Sequence, residues 1–258
     1  MSFPDHFSPV AATYATHRPR YPRELAQWLA SIAPARGVVW EAGCGSGQLS
    51  ALLGECFARV EATDASAAQL AHATPHPHVH YRVATAEASG LPPAHDGLGV
   101  HLAVAAQAAH WFDLARYYAE VRRVVQPGGA VALLGYGLST ITPAVDAVVH
   151  RLYAQTLGAF WPAERRHIES GYRTLDFPFE EITPPSLAMH ADWALPDLLG
   201  YVDTWSALRR FEASMGSDAL AQLRAEFARE AGAAWGSDPA ARRAVRWEIA
   251  VRAGYHGN

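Results

Sequence analysis

The sequence predicts an α/β fold, with a mostly parallel sheet between helices and one antiparallel strand late in the chain. Three observations carry this. Short apolar segments alternate with helical periodicities through residue 137, the rhythm of parallel strands joined by crossover helices. The run Val38-Val39-Trp40-Glu41-Ala42-Gly43-Cys44-Gly45-Ser46-Gly47 passes from apolar residues through an acid into three alternating glycines. Near the end, Val245, Trp247, Ile249 and Val251 alternate with Arg246, Glu248 and Arg252, the period-two pattern of a half-buried strand.

The elements follow in order. Pro22 suits the first turn of a helix whose apolar face is Leu25, Leu29 and Ile32 and which Pro34 stops. Strand one is expected over 37–42, then a helix over 48–53 with Gly54 as its cap, strand two over 58–63, a short helix over 66–73 and strand three over 80–84. Leu91-Pro92-Pro93 is a loop, 99–105 strand four, 114–125 a helix, Gln126-Pro127-Gly128-Gly129 a turn and 130–136 strand five. Beyond residue 137 the rhythm changes. A longer amphipathic helix is expected over 141–160, an extended aromatic segment over 172–179, helices over 197–213 and 217–232, and the antiparallel strand over 243–255 at the sheet edge.

Composition narrows the function. Half of the 258 residues are apolar and 18% are charged, enough for a substantial core. The net charge of -4 argues against a large nucleic-acid footprint, which needs a basic face. All 21 basic residues are arginine, which excludes a Walker lysine and a Schiff-base lysine. Cys44 and Cys56 are the only cysteines and cannot form a metal cluster alone; no metal is expected, and His76-Pro77-His78-Val79-His80 reads as a solvated loop. No signal peptide and no apolar run long enough to span a membrane is found, so a cytoplasmic location is expected.

The glycine run reads as a nucleotide cradle. Gly43, Gly45 and Gly47 let the backbone turn sharply and approach a ligand, and Asp64, seventeen residues beyond Gly47, ends strand two where it can accept hydrogen bonds from ribose hydroxyls. A dinucleotide fingerprint beginning at Gly43 requires glycine at position 48, which is Gln48. The pattern E-x-G-x-G-x-G instead resembles the first motif of class I S-adenosylmethionine-dependent methyltransferases. Ala84-Thr85-Ala86-Glu87 before Leu91-Pro92, and Arg123-Val124-Val125-Gln126-Pro127-Gly128-Gly129, are similar to later motifs of that family. The resemblance implies a Rossmann-like sheet of seven strands between helices, with S-adenosylmethionine as cofactor and S-adenosylhomocysteine as product. It implies cofactor contacts from Glu41, Gly43, Cys44, Gly45, Gly47, Asp64, Ala65, Ala86, Glu87, Ala105 and Ala106. His101 stands where the family often has an aspartate that helps fix the cofactor loop, and is read as altering that support.

The segment Gln107-Ala108-Ala109-His110-Trp111-Phe112, after strand four, resembles the small-molecule branch similar to trans-aconitate methyltransferase. Tyr14, Arg18-Pro19 and Tyr21-Pro22 match a signature that lies over the cofactor in that branch, which adds Tyr14 and Arg18 to the cofactor contacts. Two later stretches, Tyr172 to Phe179 and Gly200 to Ala207, extend the likeness along most of the chain. It implies one methyltransferase domain: a cap over 1–36, a cofactor core over 37–137, an elaboration over 138–240 contributing to the acceptor pocket, and a returning edge strand over 241–258. The reaction implied is methyl transfer to an oxygen of a carboxylate or hydroxyl. Histidine suits general-base work near neutral pH, so His110 is the candidate base or hydrogen-bond donor, with Gln107 beside it. Trp111, Tyr136, Tyr172, Arg173, Tyr201 and Trp205 complete the candidate acceptor pocket with His110. Expected partners are a small-molecule acceptor and, at most, a second copy of the chain as monomer or homodimer. The alternatives are transfer to carbon, nitrogen, RNA or protein, and a non-catalytic protein that holds the cofactor as a ligand.

Overall fold

A computed structural model describes residues 19–94 and 99–257. Its strands are β1 (Val38–Ala42), β2 (Arg59–Asp64), β3 (Val79–Val83), β4 (Val100–Ala106), β5 (Val125–Tyr136), β6 (Glu180–Ile182), β7 (Leu187–Trp193) and β8 (Arg243–Tyr255). The helices are α1 (Arg23–Ile32), α2 (Gln48–Gly54), α3 (Ala67–Leu70), α4 (Leu114–Val124), α5 (Pro143–His150), α6 (Arg166–Glu169), α7 (Leu195–Asp203), α8 (Ser206–Met215) and α9 (Ser217–Trp235). Among the described residues, no helix is long and apolar enough to cross a membrane.

The strands form one sheet in the order β3-β2-β1-β4-β5-β8-β6, with β7 also paired to β8. β1 to β5 run parallel, and β8 runs antiparallel to β5. From β1 the chain steps outward to β2 and β3, then returns to lay β4 on the other side of β1. The carboxyl ends of β1 and β4 therefore flank a topological switch point, where open α/β sheets bind ligands.

Side-chain alternation builds a core on each face. Ala130, Ala132, Leu134 and Tyr136 of β5 join a core with α1, α2 and the later helices, while Val131 and Leu133 join one with α4, Ile168 and Tyr172. Polar caps start several helices: Ser66 accepts from Gln69 N, Asp113 from Arg116 N and Thr142 from Val145 N. The last also has Pro143 in its first turn, where a missing N–H costs nothing.

Several expectations are corrected. The strand over 243–255 is not at the sheet edge. Its thirteen residues pair with β5 on one side, and with β7 and then β6 along the other; Ile249 faces Tyr136 and Leu187 together. The sheet therefore has eight strands, not seven. β7 carried a readable signal, since Leu187, Met189, Ala191 and Trp193 alternate with smaller or polar residues. Residues 172–174 form a turn, with a bend at Leu175, so the segment is not extended from its start, and the strand begins only at Glu180. The helix expected over 141–160 breaks into α5, a π-helical turn over Arg151–Thr156 and a 3-10 turn over Gly158–Phe160.

The turn expected at Gln126 lies inside β5 as an irregularity, because Val125 already pairs with Val100 before the register shifts to Leu102 and Ala130. Gly54 does not cap its helix but ends it, and Glu55 is the cap. A Cβ at Gly54 would stand 2.4 Å from the His76 ring, so packing explains the glycine. His78 Nδ1 lies 2.9 Å from Gly54 O, which anchors the histidine-rich segment to α2.

Candidate active site

The glycine run turns at the carboxyl end of β1 and is tied to β2. Gly43 N and Cys44 N donate to Thr63 O at 2.8 and 3.0 Å, and Gly47 N donates to Cys44 O at 2.9 Å. Two of the glycines are required twice over. Gly43 has φ 69° and a Cβ there would lie 2.6 Å from Ala108 Cβ. Gly47 has φ 74° and its Cβ would lie 2.1 Å from Tyr81 Oη. A positive φ strains any residue with a Cβ, and an occupied Cβ position adds a clash to that strain.

Asp64 has a structural task beside the expected one. Its Oδ2 accepts from Gly45 N and its Oδ1 from Ser66 N, both at 2.8 Å. Each carboxylate oxygen accepts more than one hydrogen bond, so ligand hydroxyls can share them. Glu41 is buried beneath the loop, and Ser50 Oγ donates to its Oε2 at 2.5 Å. Burial pushes its carboxyl up to about 8, with the Asp64 charge adding to the rise and the Ser50 bond opposing it.

The cleft above these strands is lined by Glu41, Gly43, Cys44, Gly45, Asp64, Ala65, Ala86, Glu87, Ala106, Gln107, Trp111 and Tyr136. Two expected cofactor contacts do not line it. Gly47 backs onto Tyr81, and Ala105 turns into the core beside α4. Tyr14 and Arg18 lie outside the described residues. Gln69 lines the cleft without having been singled out in the sequence, and Tyr21 and Phe112, quoted there only as parts of motifs, line it too. Phe112 was the most accessible to inference, since it continues the Gln107-to-Trp111 run. Glu87 Oε1 accepts from Asp113 N at 3.0 Å, joining the loop after β3 to the turn after β4.

His101 corrects a further expectation. It sits at the amino end of β4, where its Nδ1 accepts from Val38 N at 3.1 Å and its ring packs on Gly37. The glycine loop is at the opposite end of β1, so His101 buttresses the base of the sheet and does not reach the loop.

The turn after β4 leads to a second set of residues. Gln107 has φ 54°, and its Nε2 donates to Tyr136 O at 2.9 Å. His110, in the 3-10 turn Ala109–Trp111, does not line the cofactor cleft. Its Nδ1 is 3.0 Å from Tyr172 Oη, and its ring centroid is 4.7 Å from that of Trp111. Burial lowers its pKa to about 3, with Arg165 and His167 contributing, so the imidazole is neutral at physiological pH.

Tyr172 is fully buried at φ 62°. Its ring covers Gly135, where a Cβ would come within 3.1 Å. Arg252 donates to Tyr172 O at 3.1 Å and also to Leu175 O. Gln107 and Tyr172 are the non-glycine residues at positive φ among the described residues, and such conformations collect at functional sites.

The other expected acceptor residues are placed differently. Arg173 is exposed. Tyr201 and Trp205 are buried among Trp193, Trp247, Tyr153 and Trp161, away from the cleft lining. Arg165, not singled out in the sequence, packs near His110 instead. Its guanidinium lies 4.5 Å from the Trp161 ring centroid and its Nε donates to Tyr153 Oη at 2.9 Å.

The chemistry of the cleft fits S-adenosylmethionine. Glu41, Asp64 and Glu87 line it, and no arginine or histidine does among the described residues. An acidic lining suits a cationic ligand carrying hydroxyls.

Comparison with known proteins agrees. A methyltransferase-domain family model matches residues 40–133. A Dictyostelium discoideum protein described as a methyltransferase is 32% identical over 226 residues, covering 86% of this chain and 84% of its own. A solved structure from Anaeromyxobacter dehalogenans, described as a type II methyltransferase, is 50% identical, with a TM-score of 0.83 over 92% of this chain and 97% of that one. A Mycobacterium tuberculosis protein, also described as a methyltransferase, is 35% identical over 129 residues, 50% of this chain and 51% of its own. The chain belongs to the class I, Rossmann-fold family of S-adenosylmethionine-dependent methyltransferases.

Proposed function

We propose that this enzyme methylates an oxygen of a small molecule, a carboxylate or a hydroxyl, bound between the Gln107–Trp111 turn and the residues around His110. The observation that carries this reading is the turn itself. Gln107 and Trp111 line the acid-rich cleft, while His110 between them faces the buried Tyr172 and the nearby Arg165. One short segment therefore links the acid-lined cleft to a buried cluster of polar and aromatic side chains.

In this reading Glu41 faces the cationic end of the cofactor, Asp64 takes the ribose, and Ala86 and Glu87 lie beside the adenine, with Tyr14 and Arg18 closing over the methionine part. S-adenosylmethionine, when bound, supplies a sulfonium methyl open to in-line displacement. The protein then has to align an acceptor oxygen and keep water out, and alignment alone removes a large part of such a barrier.

His110 acts as a neutral positioning group rather than a base. A catalytic base works best with a pKa near the operating pH, and the burial of His110 takes it far below that. This favours an acceptor that arrives ionised, which a carboxylate does without help.

The test is a screen of small carboxylic acids and phenols with methyl-labelled S-adenosylmethionine. Methyl esters or ethers are the expected products. Label found only on carbon or nitrogen, or no turnover beside tight S-adenosylhomocysteine binding, rejects oxygen transfer.

A further inference from the structure

Two half-buried arginines of this chain, Arg59 and Arg252, have carboxylate partners. Arg59 pairs with Glu61 at 2.5 Å, and Arg252 with Glu181 at 2.7 Å while also holding two carbonyls. Arg165 is different. Among the described residues it forms no ion pair, and Tyr153 Oη takes only its Nε. Its guanidinium is fixed over Trp161 at 4.5 Å and over Tyr153 at 5.5 Å. Tyr153 is itself held, donating to Glu169 Oε1 at 2.5 Å.

A guanidinium stacked on an indole and anchored through Nε presents its terminal nitrogens as a rigid fork, the geometry that binds a planar carboxylate at two points. The short turn bearing Arg165 (Ala163–Arg165) packs against the Ala109–Trp111 turn, and the charge of Arg165 is felt at both His110 and Tyr172. Arg165 is therefore on the acceptor side of Trp111, away from the acid-lined cleft.

We propose that Arg165 binds a carboxylate of the acceptor other than the reacting oxygen. The acceptor is then a small molecule with two functions: an anionic carboxylate held at Arg165, and a separate oxygen nucleophile directed toward Gln107 and Trp111. This rests on the oxygen-transfer reading above and narrows it. The physical reason for separating the two groups is nucleophilicity. A guanidinium paired with the attacking oxygen would withdraw the charge it must donate, whereas one paired at the far end orients the molecule at no such cost.

The experiment compares matched acceptors in the wild type, Arg165→Gln and Arg165→Lys. The probes are aliphatic dicarboxylates and hydroxybenzoates, each beside its mono-amide, with labelled S-adenosylmethionine. The wild type is expected to prefer acids over amides. Arg165→Gln should lower kcat/KM for the acids about 10- to 100-fold, the scale of a charged hydrogen bond, mainly through KM, and leave the amides unchanged. Arg165→Lys should recover part of the preference.

Equal losses for acids and amides would overturn the proposal, because a merely structural clip on Trp161 produces that pattern. A wild type indifferent to the second carboxylate would overturn it as well. Turnover of neutral hydroxylated acceptors alone would remove the proposal while leaving oxygen transfer standing. Absence of oxygen methylation with any probe removes both.

Discussion

At the carboxyl end of β1 the site is made largely of backbone. Gly43, Cys44 and Gly45 are tied by their N–H groups to Thr63 O and Asp64, and the residues concerned all lie within two strands and one turn. Around His110 the cluster is made of side chains from separate segments: Tyr172 lies 62 residues away in sequence, and the turn bearing Arg165 packs against the turn bearing His110. The first construction is rigid and tolerates few residue types. The second, in the proposed reading, can change acceptor by exchanging side chains while the sheet stays as it is. The difference teaches why the cofactor is legible in such an enzyme and the acceptor is not.

The comparison is broken most directly at the loop. Gly43→Ala puts a Cβ at 2.6 Å from Ala108 Cβ on a backbone of φ 69°. Strain and overpacking together should cost about 2–4 kcal/mol. Isothermal titration with S-adenosylhomocysteine should show a loss of 30-fold or more, taken as an order of magnitude (~2 kcal/mol). Retained affinity would mean that the loop is not the rigid half.

Asp64→Ala should follow, weakening S-adenosylhomocysteine binding by about 1–3 kcal/mol. The variant removes a loop tether as well as a ligand acceptor, so Asp64→Asn, which keeps one acceptor oxygen, should fall between it and wild type. Identical titrations for all three proteins would remove Asp64 from the ribose role. NADH should show no binding heat in any of them.

Glu41 gives a pH test with a definite sign. Its folded pKa of about 8 lies above the ordinary carboxyl value of 4.5, so the native state holds a proton that the unfolded chain releases. The associated stability is fully present below about pH 4.5 and is lost as pH rises through about 8. A cationic ligand facing Glu41 reverses the balance by favouring the ionised form. Cofactor affinity should therefore rise by about tenfold between pH 6 and 8.5 with proton release, and Glu41→Gln should flatten the rise. Titration in buffers of different ionisation enthalpy measures the proton directly; zero release would place the cationic end elsewhere.

The smallest effect belongs to the half around His110. Tyr172→Phe removes the bond to His110 at a cost of about 1 kcal/mol. With the His110 pKa near 3, kcat/KM should show no inflection between pH 5 and 8 that disappears in His110→Asn. Such an inflection would restore His110 as a base and make the second half catalytic rather than positional.

Most of residues 37–137 was legible because its signals are local. The glycine spacing, the acid after β2 and the apolar strands each follow from the conformational needs of a few adjacent residues. Beyond residue 137 the elements were partly legible and their partners were not. β8 was visible by its alternation, but its place between β5 and the pair β6 and β7 depends on which strands cover its two sides. Tyr201 and Trp205 looked like pocket aromatics and are packed with other aromatics, since ring size alone does not tell a core from a cavity wall.

By itself the sequence determined the sheet that carries the cofactor, the loop that must be glycine and the acid beside it, because torsional freedom and strand periodicity are properties of neighbouring residues. Tertiary structure alone decided that His101 supports the base of β4, that His110 is buried against Tyr172, and that Arg165 stands beside them with no direct ion pair among the described residues. Those facts depend on distance through space, and on burial that changes the charge of a group, neither of which is written at any single position of the chain.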